Sequence, residues 1–96
     1  LLSEDDRIRK WMIYEIMCHF KIDMKLFKDR YGKIFGDYFH NEAQEIRDFE
    51  NEGFLKTEGN VISVTSRGKM FVRNIAMIFD SYLKKDREKQ VFSKTV

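Results

Sequence analysis

Apolar residues recur at intervals of three and four near the start of the chain: Ile8, Met12, Ile13, Ile16, Met17 and Phe20. That spacing gathers them on one side of a helix and leaves the charged positions opposite. Ser3 ahead of the run is a good N-cap, and Glu4, Asp5 and Asp6 place negative charge where the helix dipole favours it. A first helix is therefore predicted to end near Phe20. Asp23 can cap a shorter second helix, Met24 to Tyr31, closed by Gly32 as a left-handed residue. Asp37 can cap a third, Tyr38 to Asn51, which turns Phe39, Ala43, Ile46 and Phe49 inward and stops at Gly53. The period then changes to short strands, Phe54 to Thr57 and Val61 to Thr65, around a tight Glu58-Gly59-Asn60 turn.

The last patterned stretch is unusually apolar. Thr65 caps a predicted helix from Ser66 to Lys85, and between Met70 and Phe79 only Arg73 and Asn74 are polar. Lys69, Arg73, Asp80 and Lys84 form a narrow polar stripe that includes Met77, so this helix needs cover on more than one side. Some of Phe71, Ile75, Ile78 and Tyr82 are expected to leave an exposed apolar patch, favouring docking onto a larger body and weak self-association of the isolated chain. Residues 86–96 have no helical period and read as an extended or disordered tail beyond a domain of residues 1–85. Three helices, a β-hairpin wing and a long closing helix make a mainly α, winged-helix-like fold, an architecture that hosts many roles.

Composition narrows those roles. The chain has 96 residues, 43% hydrophobic and 35% charged, as expected of one folded domain with a modest core. A single cysteine, Cys18, rules out an internal disulfide and fits a reducing cytoplasm. No apolar run reaches the roughly 20 residues of a membrane span, and the acidic start lacks the layout of a signal peptide. The first residue is Leu1, not Met, which reads as a piece of a longer polypeptide. Formal charge is only +2, with local basic clusters at Lys21 to Lys33 and Lys84 to Lys94.

A winged helix invites a DNA-binding reading through its third helix. From Asp37 to Glu52, however, six carboxylates face Arg47 alone, and the wing tip carries no basic residue. Affinity for a polyanion comes largely from phosphate neutralisation, so nucleic acid is disfavoured as a partner. Cys18 and His19 are adjacent on a helix and diverge by about 100 degrees, and His40 has no partner at ligand spacing, so no metal site is expected. No nucleophile elbow, phosphate loop or His–carboxylate–nucleophile set is present, so no catalytic residue is assigned. What remains is an interaction module.

Several strings then resemble a known family. They are Ser3-Glu4-Asp5-Asp6-Arg7-Ile8-Arg9, Ile16-Met17-Cys18-His19-Phe20 and Glu52-Gly53-Phe54-Leu55, then Val64-Thr65 with Gly68, and Arg73 through Leu83 (RNIAMIFDSYL). Together they resemble the C-terminal domain of oxygen-independent coproporphyrinogen III oxidases over about Ser3 to Leu83. The related radical-SAM haem chaperones carry a similar domain, and a DNA-binding or protein-interaction module of a regulator is the further alternative. The resemblance implies a cytoplasmic parent enzyme that decarboxylates two propionates of coproporphyrinogen III to vinyl groups, giving protoporphyrinogen IX in haem synthesis. It implies a 4Fe–4S cluster on a three-cysteine motif and S-adenosylmethionine, both held by a catalytic barrel outside this sequence; Cys18 does not match that motif. The domain itself would be non-catalytic, docking on the barrel and helping to cover the substrate opening. Arg7, Arg9, Arg67 or Arg73 would then face the barrel or a substrate propionate. The plainer reading, which exposed arginines usually follow, pairs Arg7 and Arg9 with Asp5, Asp6 or other surface acids and makes Arg73 an interdomain or intradomain salt-bridge residue.

Overall fold

The computed structural model describes residues 3–80. Helix α1 (Glu4–His19) starts with a complete capping box: Ser3 Oγ accepts from the Asp6 amide at 3.1 Å, and the Asp6 carboxylate accepts from the Ser3 amide at 3.4 Å. Its Ile8, Met12 and Ile16 are fully buried. The helix stops because Phe20 takes a left-handed conformation, φ 57°, while its amide still reaches the Ile16 carbonyl. That turn, unusual for a residue with a side chain, feeds directly into strand β1 (Lys21–Asp23).

Helix α2 (Met24–Tyr31) has the expected bounds. One Asp23 carboxylate oxygen accepts from the Lys25 and Leu26 amides, and left-handed Gly32 closes the far end. The next predicted helix, by contrast, is broken. A short α3 (Phe35–Tyr38) is followed by a 3-10 turn (His40–Glu42) and then by α4 (Ala43–Asn51). Asp37 is not its cap; Ile34 occupies that position with no side-chain hydrogen bond. The break at Phe39 brings Phe35, Phe39 and Glu42 to the interior together, and Phe39 packs its ring against Phe27, Phe35 and Phe79 with centroids 4.9–5.6 Å apart.

Strands β2 (Leu55–Glu58) and β3 (Val61–Val64) form the expected hairpin around Gly59 and Asn60, with Gly59 at φ 59°. The two-stranded wing is in fact a three-stranded antiparallel sheet of order β1-β3-β2, because β1 pairs along the other edge of β3. Three residues are too few to show an alternating period, which is why β1 has no signature in the sequence.

The expected long closing helix is also replaced by shorter pieces. Thr65 Oγ1 accepts from the Gly68 amide at 3.0 Å and donates to the Gly53 carbonyl at 2.7 Å. A 3-10 turn (Gly68–Phe71), helix α5 (Val72–Ala76) and a second 3-10 turn (Met77–Phe79) follow. Gly68 lies so close to the Phe54 backbone that a Cβ would sit 2.1 Å from the Phe54 carbonyl oxygen. The expected exposed patch is not formed as drawn. Ile75 and Ile78 are buried against α1 and the aromatic core, and Phe71, 42% exposed, stacks on Phe54 at 4.8 Å. Ile75, Ala76, Ile78 and Phe79 are thus covered from within the domain, whereas Met70, 84% exposed, and Phe71 remain on the surface. Tyr82, Lys84 and the predicted tail of residues 86–96 lie outside the described residues.

Candidate functional site

The four arginines do not converge on one site. Arg9 is committed to the interior. Its Nε donates to Asp5 at 2.9 Å, its Nη1 reaches Glu42 at 3.5 Å and the Phe79 carbonyl at 3.4 Å, and its guanidinium lies 5.4 Å from the centre of the Phe39 ring. Glu42, counted from sequence among the acids of an exposed helix, is only 4% exposed and serves this network. Tyr38 completes it by donating its hydroxyl to the other Asp5 oxygen. Burial, the Asp5 hydrogen bond and the negative charge of Asp5 push the Tyr38 phenol up from 10.0 to about 12, with Arg9 opposing. The network joins α1, α3, the turn after it and the end of the Met77–Phe79 turn.

Arg67 is exposed and its guanidinium lies 5.8 Å from the Phe54 ring centre. Arg7 is exposed and makes no ion pair among the described residues. Arg73 lines a shallow groove of about 370 Å³ between α1 and α5, with Ile13, Met17, Ala76, Met77 and Asp80. Cys18 is exposed, His19 sits 3.5 Å from Glu15, and His40 Nδ1 contacts the Asp37 carbonyl at 2.9 Å. Among the described residues no three His, Cys, Asp or Glu side chains gather as metal ligands. One exposed thiol does not fit a three-cysteine iron–sulfur cluster, so no chemistry of such a cluster can be assigned to this chain's own residues.

A larger opening lies between α2 and α3. This cleft of about 570 Å³ is lined by Met24, Lys25, Lys28, Asp29, Ile34, Phe35, Gly36 and Asn60. Its apolar floor and cationic wall come from the basic segment noted in the sequence, but the cleft itself has no sequence signature. It exists only because α3 begins at Phe35 and not, as the helical period suggested, at Tyr38.

Similarity to known proteins runs along nearly the whole chain. A family model described as the HemN C-terminal domain matches residues 2–71. The oxygen-independent coproporphyrinogen III oxidase of Synechocystis is 37% identical over 99% of this chain and 21% of that protein. The enzyme of the same name from Escherichia coli is 30% identical over 99% of this chain and 21% of its own length. Among solved structures, coproporphyrinogen III oxidase (HemN) from Escherichia coli, described as a radical SAM enzyme, superposes with a TM-score of 0.80 at 31% identity. That match covers 84% of this chain and 19% of the other. The chain thus spans about a fifth of the length of the curated relatives it matches. It belongs to the HemN C-terminal domain family.

Proposed function

We propose that this chain is the non-catalytic C-terminal domain of an oxygen-independent coproporphyrinogen III oxidase, docked on a radical-SAM barrel of the same polypeptide and helping to close its substrate opening. The observation that carries this reading is the lopsided match: 99% of this chain aligns to only 21% of an enzyme of that name. The parent's 4Fe–4S cluster and S-adenosylmethionine would be held by the barrel, where they would supply the radical that starts decarboxylation. This domain's part is to exclude water and stray hydrogen donors from that radical. Arg7, Arg67 and Arg73, all exposed, are the arginines free to meet a propionate or the barrel, whereas Arg9 is spent on the fold. The cytoplasm is the compartment such an enzyme would occupy; no helix among the described residues is long and apolar enough to cross a membrane.

Deleting this domain from the full-length parent tests the reading. Cluster assembly should survive, conversion of coproporphyrinogen III should collapse, and S-adenosylmethionine cleavage without substrate turnover should rise as the opening is left uncovered. A truncated parent that converts substrate at the full rate would overturn it. Arg73→Ala in the intact parent addresses the finer point. Weakened substrate affinity or looser docking is expected, and no change in either removes Arg73 from the contact set.

A further inference from the structure

Gly36 is the one glycine of this chain that nothing inside the described structure explains. Gly32, Gly53 and Gly59 take positive φ values of 66°, 83° and 59°, where a side chain is strained. Gly68 is forced by the Phe54 backbone. Gly36 has neither reason: its φ is not positive, and a Cβ built on it would meet nothing within 4 Å. It nevertheless sits in helix α3, where glycine is a poor choice. Bare backbone at such a place is useful when something from outside packs directly against it.

The surroundings say what that something is. Gly36 lines the α2–α3 cleft, whose floor is Met24 and Phe35 and whose lip is Ile34, 57% exposed. Of the basic cluster from Lys21 to Lys33, Lys33 pairs with Glu4 at 3.2 Å and Arg30 lies over Trp11 and Tyr31. Lys25 and Lys28 are left on the cleft wall, with no ion pair among the described residues. Asp29 also lines the cleft, so its charge is a local cationic excess and not a uniform field. An apolar floor, a bare backbone and two adjacent ammonium groups are complementary to an apolar side chain flanked by carboxylates.

We propose that the α2–α3 cleft is the face by which this domain seats on the rest of its polypeptide, receiving an apolar side chain that packs on Gly36 between carboxylates paired with Lys25 and Lys28. This rests on the docking role proposed above and assigns it a surface. It moves the contact away from the last helix, whose apolar sides are largely used by the domain's own core.

Zero-length carbodiimide coupling of the full-length polypeptide, mapped by mass spectrometry, tests it, because such coupling joins only amines and carboxylates in direct contact. Amide links from Lys25 or Lys28 to an Asp or Glu upstream of this domain are expected, while Lys56, on the exposed hairpin, stays unlinked to that region. Gly36→Leu, which should leave the isolated chain folded, is expected to speed proteolytic cleavage between domain and body about tenfold, as overpacking of a tight contact does. Links that map instead from Asp80 in the α1–α5 groove, with Gly36→Leu silent, would overturn this face and leave the docking role standing. Links between Lys25 or Lys28 and a second copy would overturn it in favour of a dimer. No links, with Gly36→Leu silent and the truncated parent converting substrate at the full rate, would remove both.

Discussion

The Arg9 network and the α2–α3 cleft both hold cations and use them in opposite ways. In the first, Asp5, Arg9, Tyr38 and Glu42 satisfy one another and the Phe79 carbonyl across a large sequence separation, and their charge is consumed by the fold. In the second, Lys25, Lys28, Ile34 and Gly36 surround an opening and find no use within the described chain. Arginines near the N-terminus looked like candidates for substrate contact, yet Arg9 turns out to be the best anchored cation in the domain. The lysines, which composition alone would place on a solvated surface, border the larger cleft. A charged residue's role is therefore decided by whether its partners lie inside the domain or beyond it.

The strongest way to break the comparison is at Arg9. Arg9→Met removes the partner of a carboxylate that is 5% exposed, and should destabilise the isolated chain by about 3 kcal/mol in urea unfolding. Adding Glu42→Leu should restore part of the loss, since an apolar pair of similar volume removes the desolvated carboxylate. A second change that left stability unrestored would mean that Glu42 serves the fold mainly through its other contacts. Gly68→Ala should follow at about 2 kcal/mol, because the new Cβ meets backbone at Phe54, which cannot swing aside as a side chain would. The same substitution at Gly36 should have the opposite sign, and that contrast separates a glycine needed by the fold from one that is not.

Tyr38 supplies a smaller and pH-dependent effect. Its folded phenol is raised to about 12, above the ordinary 10.0, so the contribution of its neutral hydroxyl is fully present below pH 10. Stability from this group is lost as pH rises from about 10 through about 12, where the unfolded chain ionises more readily. Tyr38→Phe should cost about 1 kcal/mol near neutrality. The gap between wild type and variant should close over that alkaline window, and tyrosinate absorbance should show one late-titrating tyrosine that the variant lacks. A gap independent of pH would mean that the phenol ionises alike in the folded and unfolded chain, so that the Asp5 contact does not raise it.

Which of these features the sequence carries follows from their range. Caps and turns act within a few residues, so Ser3, Asp23, Gly32 and Gly59 are legible and the structure has them in those roles, while Thr65 Oγ1 accepts from the Gly68 amide ahead of a 3-10 turn and not at the start of a long helix. The pairing of β1 with β3, the break at Phe39 and the contact of Gly68 with Phe54 depend on partners far along the chain, and no local period encodes them. Arg9 and the Phe79 carbonyl are 70 positions apart. The apolar closing segment shows the same limit. Its need for cover is readable, but the source is not: α1 and the aromatic core cover Ile75, Ile78 and Phe79, while Met70 and Phe71 stay exposed. The cleft was hidden for a related reason, since its floor depends on where α3 begins.

Gly36→Ala in the isolated chain has the smallest expected effect and sharpens the comparison most. The position is helical, has open space around it, and lacks the positive φ that would make alanine strained. Replacing glycine there lowers the conformational entropy of the unfolded chain and should stabilise the domain by about 0.5–1 kcal/mol. A gain of that size in thermal or urea unfolding would establish that folding of this domain makes no demand for glycine at position 36. A loss would mean that the interior needs it, and the cleft would join the Arg9 network as architecture. With the gain in hand, the fold itself supplies no reason for the bare backbone, and the coupling map of Lys25 and Lys28 decides whether a docking contact does.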